Sequence, residues 1–112
     1  MYKPGTIVLV PFPFTDLSGE KVRPALIIAA QTKGEDVLVC FITSMGVKKD
    51  SHVVLLSEND SHFRNSGLKI TSVIRATKLA TLDRRVILGE LGGLDQKKFA
   101  EVKKILKTYI GL

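Results

Sequence analysis

The amino-acid sequence predicts a mainly β protein with short helices, in which a small antiparallel barrel or strongly curved sheet carries a C-terminal amphipathic helix. Three observations support this fold class. Short segments rich in β-branched residues follow one another, turn-forming residues separate them, and a helical repeat of apolar residues appears near the end of the chain. With 112 residues the chain has a common size for one unit, so we expect a single domain spanning residues 1–112.

The first strand is predicted at residues 6–12, where β-branched residues follow a Pro-Gly pair. Pro11 and Pro13 lack the backbone N–H that a sheet ladder needs, so this strand should end there or lie at an edge. Residues 14–21 are predicted as a polar loop that is long for a hairpin, and loops of this length often carry function.

The middle of the chain predicts further strands. Two apolar segments, 23–30 and 36–43, are expected to pair as a hairpin around the turn at 33–35. A fourth strand is predicted at 52–56, after a polar break. Residues 58–67 fit either a short helical turn or an irregular loop.

The last third of the chain predicts strands at 72–76 and 78–82, and then a short strand or helical turn at 85–90. Asp95 is positioned to cap the C-terminal helix. Apolar residues recur in this helix at three- and four-residue spacing, which predicts a buried stripe made of Phe99, Val102, Ile105, Leu106, Tyr109 and Ile110.

The charge balance favours an anionic partner. Lys and Arg number 17 against 11 acidic residues, and residues 51–112 hold 11 of the basic ones. A net charge of +6 attracts nucleic acid, although many small basic proteins bind none. No apolar run approaches the roughly 20 residues that span a bilayer, and the first residues do not resemble a secretory signal, so a cytoplasmic location is expected.

Motifs for metal or nucleotide chemistry are absent from the sequence, including glycine-rich phosphate loops, HExxH and cysteine clusters, so no metal or cofactor is expected. Cys40 lies within an apolar segment, which predicts a buried, inert thiol. His52 and His62 could form an acid–base pair for phosphodiester cleavage, but their polar surroundings favour two solvated side chains.

Arg23 is the first candidate for a functional residue. Pro24 biases it towards an extended conformation at the start of a strand whose other side chains are apolar. A guanidinium held there can contact a phosphate at two points and stabilise the negative charge of a pentacoordinate transition state. A surface arginine paired with Glu20 is an equally good interpretation of these residues alone.

Thr43 and Ser44 end the third predicted strand. Counted outward from Gly34, Arg23 lies eleven positions back and Thr43 nine positions forward, which places both at the same end of the predicted hairpin. A hydroxyl and a guanidinium would then converge on one phosphate. The alternative is ordinary turn chemistry at a strand end.

Several segments together resemble one known family. Residues 19–28 follow a Pro-rich strand end, Ile42-Thr43-Ser44 closes an apolar strand, and further similar segments lie at 67–75, 78–83 and 91–94. In this order and spacing they resemble the MazF/PemK-like toxins of type II toxin–antitoxin systems. The resemblance covers most of residues 5–94.

The resemblance implies an SH3-like barrel of the CcdB/MazF type, a homodimer, and a cognate antitoxin protein as partner. It also implies an mRNA interferase, a metal-independent endoribonuclease that cuts single-stranded RNA (mRNA) through attack of the ribose 2′-hydroxyl. The family's catalytic arginine and threonine correspond here to Arg23 and Thr43. Residues 13–21 correspond to the loop that admits RNA and that the antitoxin displaces.

Further residues are assigned by position and chemistry. Glu20 is a candidate general base, because a guanidinium is a poor one. Thr6 replaces an acidic residue that the family often carries, which should alter a structural contact more than activity. The candidates for RNA binding are Lys21, Ser44, Lys69, Arg75, Lys78 and Phe14. The alternative for the basic residues is a solvated face, and the alternative for the phenylalanine is a role in the core.

Two other function classes stay open. A non-catalytic toxin of the same fold could inhibit a protein target such as DNA gyrase, since a fold does not determine a function. A basic RNA-binding domain would instead use the lysine-rich face of the C-terminal helix, which begins with Lys97 and Lys98.

Overall fold

The structure is a computed structural model that describes residues 2–12, 21–31, 33–44 and 52–112, except for the side chains of Phe12 and Lys21. Within these ranges the chain is mainly β with one C-terminal helix, so the predicted fold class is confirmed. The elements are β1 (Thr6–Phe12), β2 (Lys21–Ala30), β3 (Asp36–Thr43), β4 (Val53–Leu56), β5 (Ser72–Asp83), β6 (Gly89–Gly93) and α1 (Gln96–Tyr109), with 3₁₀ helices at Phe63–Ser66 and Arg84–Val86.

The six strands form one antiparallel sheet in the order β4-β5-β3-β2-β1-β6. The predicted hairpin of β2 and β3 lies at its centre. β3 is buried along nearly its whole length, which agrees with its continuous apolar sequence. The sheet therefore has packing partners on both of its faces.

Bulges curl the sheet. The register of β1 with β6 shifts by one residue at Leu91 of β6, and that of β2 with β3 shifts by one residue at Ile28 of β2. A larger shift in the β3–β5 ladder leaves residues 76–78 of β5 without a partner on β3. Extra residues bend a strand and increase its twist, so the sheet curves into a half-barrel.

Two apolar clusters lie on the two faces of the sheet. On the helix face, Val102 and Leu106 of α1 pack against strand residues that include Leu26 and Ile74. The opposite face buries a second cluster, which consists of Val8, Val10, Ala25, Ile27, Val37, Val39 and Phe41. Because successive strand residues point to alternate faces, these clusters show which face each strand position occupies.

Helix α1 begins as the sequence predicts, because the Asp95 carboxylate accepts a hydrogen bond from the Lys98 N–H at 3.3 Å. The prediction that Tyr109 and Ile110 are buried is wrong, since each is 58% exposed. The last turn reaches the edge of the core, where the Tyr109 ring contacts His52 edge-to-face. Among the described helices, none is long and apolar enough to cross a membrane.

The structure corrects the predicted boundaries of three segments. The strands expected at 72–76 and 78–82 are one continuous strand, β5, because the interruption is a bulge. Lys21 was expected in the loop, but it pairs with Phe12 as the first residue of β2. Residues 85–90, left open between two interpretations, contain the end of a 3₁₀ helix and the start of β6.

Cys40 is fully buried, as expected. Burial removes the thiolate from water and raises the pKa of the Cys40 thiol to about 12. The thiol is therefore protonated at neutral pH, and it belongs to the apolar core of the helix face.

Candidate functional site

Arg23 and Thr43 lie at the same end of the sheet, where β2 begins and β3 ends. β2 pairs with β3 through Ala25–Phe41 and Leu26–Cys40, and this register continued by two residues places Arg23 opposite Thr43. Residues directly opposite in an antiparallel pair have Cβ atoms about 4.5–5.5 Å apart. The two residues that the count from Gly34 placed at one end of the hairpin are therefore cross-strand neighbours.

The one-residue bulge in β2 determines which residue faces Thr43. Nearer the turn, Ala30 pairs with Val37 and Ala29 with Leu38, and that register alone would place Pro24 opposite Thr43. The shift between Ile27 and Ala29 moves Arg23 into this position instead. Because a one-residue slip also exchanges the two faces of a strand, the bulge sets both the partner and the orientation of Arg23.

Arg23, Thr43 and Arg75 share the face opposite to the helix. Ala25 and Phe41 belong to the cluster on that face, and Arg23 and Thr43 each lie two residues further along the same strands. On β5, Arg75 pairs with Phe41, while its neighbours Ile74 and Ala76 are in the core of the helix face. Arg75 is thus the diagonal neighbour of Thr43.

The described strand neighbours of the two arginines are mainly apolar, and no described acid forms an ion pair with either. Arg23 is exposed and Arg75 half-buried, and among the described residues neither guanidinium takes part in a hydrogen bond or ion pair. The acid at the described strand positions of this face is Glu90 of β6, which pairs with Val8 and lies two strands away from Arg23. Two cations on one face that have no ion-pair partner among the described residues attract an anion.

Phe41 forms the apolar floor of this site, although the sequence did not single it out. It is 4% exposed and stands between Ala25 of β2 and Arg75 of β5. Within a continuous apolar strand no sequence signal distinguishes it from its neighbours. Phe41 lies beside Arg75 because the bulge at residues 76–78 of β5 shifts the β3–β5 register.

The other predicted RNA-binding residues fall into two groups. Ser44 is exposed directly after β3, Lys69 is exposed in the segment before β5, and Lys78 is half-buried at the end of the β5 bulge. Glu20, Phe14 and the side chain of Lys21 lie outside the described residues. The alternative pairing of Arg23 with Glu20 is likewise outside them.

Other candidate residues lie away from this face. Lys98 of α1 is on the helix side of the sheet, and its ammonium group is 3.8 Å from the Asp60 carboxylate. His52 and His62 are both exposed; His52 precedes β4 and His62 follows it. Within the described ranges no group of three His, Cys, Asp or Glu side chains is arranged to hold a metal ion.

Comparison of the sequence with known families gives one match over nearly the whole chain. Residues 3–110 match the family described as PemK-like, MazF-like toxin of type II toxin-antitoxin system. A search of curated proteins found no significant match. The match includes the segments that contain Arg23, Thr43 and Arg75.

Solved structures with the same fold are distant in sequence. A MazE–MazF complex from Deinococcus radiodurans superposes with a TM-score of 0.79 at 23% identity, covering 99% of this chain and 96% of that chain. An endoribonuclease in complex with its cognate antitoxin, from a mycobacterial species, gives 0.76 at 19% identity, with coverages of 100% and 97%. The Mycobacterium tuberculosis toxin MazF-mt6 gives 0.74 at 18% identity, with coverages of 96% and 97%. These similarities establish the fold.

Proposed function

Because this chain belongs to the PemK-like, MazF-like family of type II toxin–antitoxin toxins, we propose that it is an mRNA interferase, an endoribonuclease that cuts single-stranded RNA at selected sequences. The observation that supports this proposal is the β2–β3 register, which would set Arg23 opposite Thr43 if it continues two residues beyond the Ala25–Phe41 pair. A guanidinium and a hydroxyl at that separation can contact the same phosphate.

The proposed reaction uses a nucleophile from the substrate. The ribose 2′-oxygen attacks the adjacent phosphorus and loses its proton, the bond from phosphorus to the 5′-oxygen breaks, and a 2′,3′-cyclic phosphate and a 5′-hydroxyl result. Because attack is intramolecular, the protein needs to orient the chain and stabilise charge, and the chemistry requires no metal. The fork of Arg23 stabilises the extra charge on the pentacoordinate phosphorus.

Thr43 and Glu20 complete the proposed catalytic group. The Thr43 hydroxyl donates a hydrogen bond to a phosphate oxygen and so fixes the phosphate against Arg23. A guanidinium is a poor base, so Glu20 is the proposed general base for the 2′-hydroxyl. The departing 5′-oxygen takes its proton from solvent water.

RNA binding is proposed to involve residues on both sides of this catalytic group. Lys21, Lys69 and Lys78 would contact phosphates, Ser44 would donate a hydrogen bond, and Phe14 would stack on a base. Phosphate contacts set affinity and do not depend on sequence, so the selectivity of cleavage must come from contacts with the bases. Of the two described lysines, Lys69 is exposed and Lys78 is half-buried.

A cognate antitoxin protein and a second copy of the toxin are the proposed protein partners. The structures from Deinococcus radiodurans and the mycobacterial species are toxins bound to their antitoxins, and each matches this chain over nearly its full length. We propose that the antitoxin binds the segment that connects β1 and β2. Copurification of the chain with the product of an adjacent small gene would test this partnership.

The activity test compares Arg23→Ala, Arg23→Lys and Thr43→Val with the wild type on single-stranded RNA in EDTA, with product ends mapped by sequencing. Loss of one donor to a developing charge costs about 100-fold or more in kcat, so Arg23→Ala and Thr43→Val should each fall by that factor. Arg64→Ala, on an exposed 3₁₀ helix, is the matched control. Full activity in Arg23→Ala would overturn the assignment.

The same variants separate the other two function classes. Growth arrest without RNA cleavage would indicate a toxin that inhibits a protein target. A domain that binds RNA through α1 would lose binding on charge reversal at Lys97 and Lys98, whereas an interferase with its site on the opposite face would be affected much less. Because the Lys98 ammonium lies 3.8 Å from the Asp60 carboxylate, the thermal unfolding midpoint of the charge-reversed variant is measured alongside.

A further inference from the structure

We propose that Arg75 binds the phosphate next to the one that is cleaved, so that Arg23 and Arg75 contact successive phosphates of one RNA strand. This inference rests on the proposed endoribonuclease function and extends it to the substrate subsite beside the catalytic group. It assigns to Arg75 a role in substrate binding that Arg23 does not share.

The sheet register determines the spacing of the two arginines. Arg23 stands in the row of Thr43, and Arg75 stands in the neighbouring row, where Ala25, Phe41 and Arg75 are in line across three strands. Two strand spacings and one two-residue step place the Cα atoms of Arg23 and Arg75 about 12 Å apart. Both side chains are long and leave the same face, so they can engage neighbouring phosphates of one strand.

Among the residues that the structure describes, the charge of Arg75 has no ion-pair partner. Arg75 is half-buried, yet no hydrogen bond or ion pair to its guanidinium occurs within the described part of the chain. Its cross-strand neighbours on this face are Phe41 and Val53, both apolar. A partly desolvated cation is costly to leave unpaired, and a phosphate oxygen is the partner that its planar fork fits best.

Arg75 differs from the other basic residues near the site in how firmly it is held. Lys69 lies in the segment before β5, and Lys78 ends the stretch of β5 that has no partner on β3. Arg75 alone among these three is paired on both sides, with Phe41 on β3 and Val53 on β4. Its backbone is therefore fixed, and a fixed side chain loses less entropy when it binds a ligand.

The position of Arg75 predicts an effect on binding rather than on chemistry. It is diagonal to Thr43, whereas Arg23 is directly opposite, so only Arg23 shares a phosphate with the hydroxyl. A contact with a phosphate that keeps its charge throughout the reaction stabilises the bound substrate and the transition state equally. Removing such a contact raises KM and leaves kcat unchanged.

The test uses a fluorogenic single-stranded RNA oligonucleotide that carries one wild-type cleavage site. Arg75→Ala should raise KM about tenfold, as expected for one charge-assisted contact, with kcat within about twofold of wild type. The dependence of log KM on log salt should become shallower by about 0.7, the value for one phosphate contact with a single strand. Arg75→Lys should recover part of the loss, and Arg64→Ala is the control.

A second substrate locates the contact. In it a neutral methylphosphonate replaces the phosphate on the 5′ side of the scissile one, and a third oligonucleotide carries the change on the 3′ side. One of these should raise KM for the wild type by about the same factor as Arg75→Ala and have no further effect on that variant. The thermal unfolding midpoint of Arg75→Ala should match that of the wild type.

The outcomes distinguish this inference from the function on which it rests. If wild-type protein cuts no RNA, the proposed function fails. If the wild type cuts RNA and Arg23→Ala does not, but Arg75→Ala keeps the wild-type KM and salt dependence, Arg75 is not a phosphate ligand. The subsite would also be overturned if each methylphosphonate raised the KM of Arg75→Ala by the same factor as it raises the KM of the wild type.

Discussion

The backbone of Gly92 in β6 lies directly against the carbonyl oxygen of Asn65 in the first 3₁₀ helix, so closely that a methyl group at Gly92 would overlap that oxygen. Gly67, which follows this 3₁₀ helix, lies equally close to the carbonyl oxygen of Leu91 and has a φ of +75°. These contacts join the segment between β4 and β5 to the far edge of the sheet, and they help to close the half-barrel.

Replacing Gly92 with alanine should therefore destabilise the protein. The added methyl group overlaps backbone atoms of Asn65 and Ser66, which cannot move aside as a flexible side chain would, and overpacking of this kind costs about 1–3 kcal/mol. Urea unfolding would measure the change. Gly89→Ala is the matched control in the same strand, because a methyl group there meets nothing within 4 Å. Equal stability of the two variants would contradict the packing seen here.

Arg84 should stabilise the turn between β2 and β3 without affecting catalysis. Its Nη2 donates a hydrogen bond of 2.6 Å to the Gly34 carbonyl, and its backbone N–H donates one of 2.6 Å to the backbone carbonyl of Glu35. Arg84→Ala leaves the Gly34 carbonyl without this donor and should cost about 1–3 kcal/mol in unfolding free energy. Because the turn is at the far end of the hairpin from Arg23, kcat for RNA cleavage at 25 °C should stay within twofold of wild type.

Asp83 should make stability depend on pH below about 4. Its carboxylate accepts hydrogen bonds from Nε and Nη2 of Arg85 at 3.0 and 2.8 Å, and chiefly these contacts lower the pKa of Asp83 to about 2. An unfolded aspartate has a pKa near 3.9, so the ionised form stabilises the fold above that value, and this contribution is lost as pH falls towards 2. The pair is exposed, so the effect should be small.

The measurement for Asp83 is the urea midpoint of wild type and Asp83→Asn at several pH values between about 2 and 5. The difference between them should be largest at the upper end and shrink as pH falls. Arg85→Gln should reduce the same pH-dependent contribution, because it removes the partner. A difference that is constant over this range would show that the ion pair does not stabilise the fold.

Cys40 should resist thiol reagents as long as the protein is folded. The side chain is fully buried and burial raises the pKa of its thiol to about 12, so both access and thiolate are lacking at pH 8. We expect no labelling by a maleimide in buffer over the time in which the guanidinium-unfolded protein is labelled completely. Rapid labelling of the folded protein would indicate that β3 opens far more easily than its packing suggests.

Asp95 should account for part of the stability of α1. Its carboxylate caps the helix by accepting the Lys98 N–H, and loss of such a cap typically costs about 1 kcal/mol. Asp95→Ala should lower the unfolding free energy by that amount, whereas Asp95→Asn, which keeps a capping oxygen, should cost much less. Equal losses for the two variants would indicate that the charge of Asp95, and not its cap, stabilises the helix.

The order and type of the main elements could be predicted from sequence because each depends on local patterns. β-branched segments predicted the first four strands, and the repeat of Val102 and Leu106 with Asp95 before it predicted α1. The predicted strand boundaries were wrong where two different structures have the same local sequence pattern. A bulge in β5 and a turn between two strands both interrupt alternation, and only the partner strand β3 distinguishes them.

The chemical residues of the candidate site could also be chosen from sequence, whereas their arrangement could not. Pro24 before an apolar strand indicated Arg23, and the strand end indicated Thr43. Arg75 appeared as one basic residue among several, because nothing in residues 72–83 shows which of them share a face with Arg23. That information is in the pairing of Arg75 with Phe41, which lies far away in the sequence.

By itself, the sequence determined a mainly β chain with a capped C-terminal helix, and the resemblance of its motifs identified the toxin family. Only the tertiary structure decided that Arg23 faces Thr43. Without the bulge at Ile28 the partner of Thr43 would be Pro24, and Arg23 would point to the helix face. Ile28 lies in a uniform apolar segment, so nothing in the local sequence indicates the register shift. The register is set by long-range ladder hydrogen bonds and by which side chains both faces can bury.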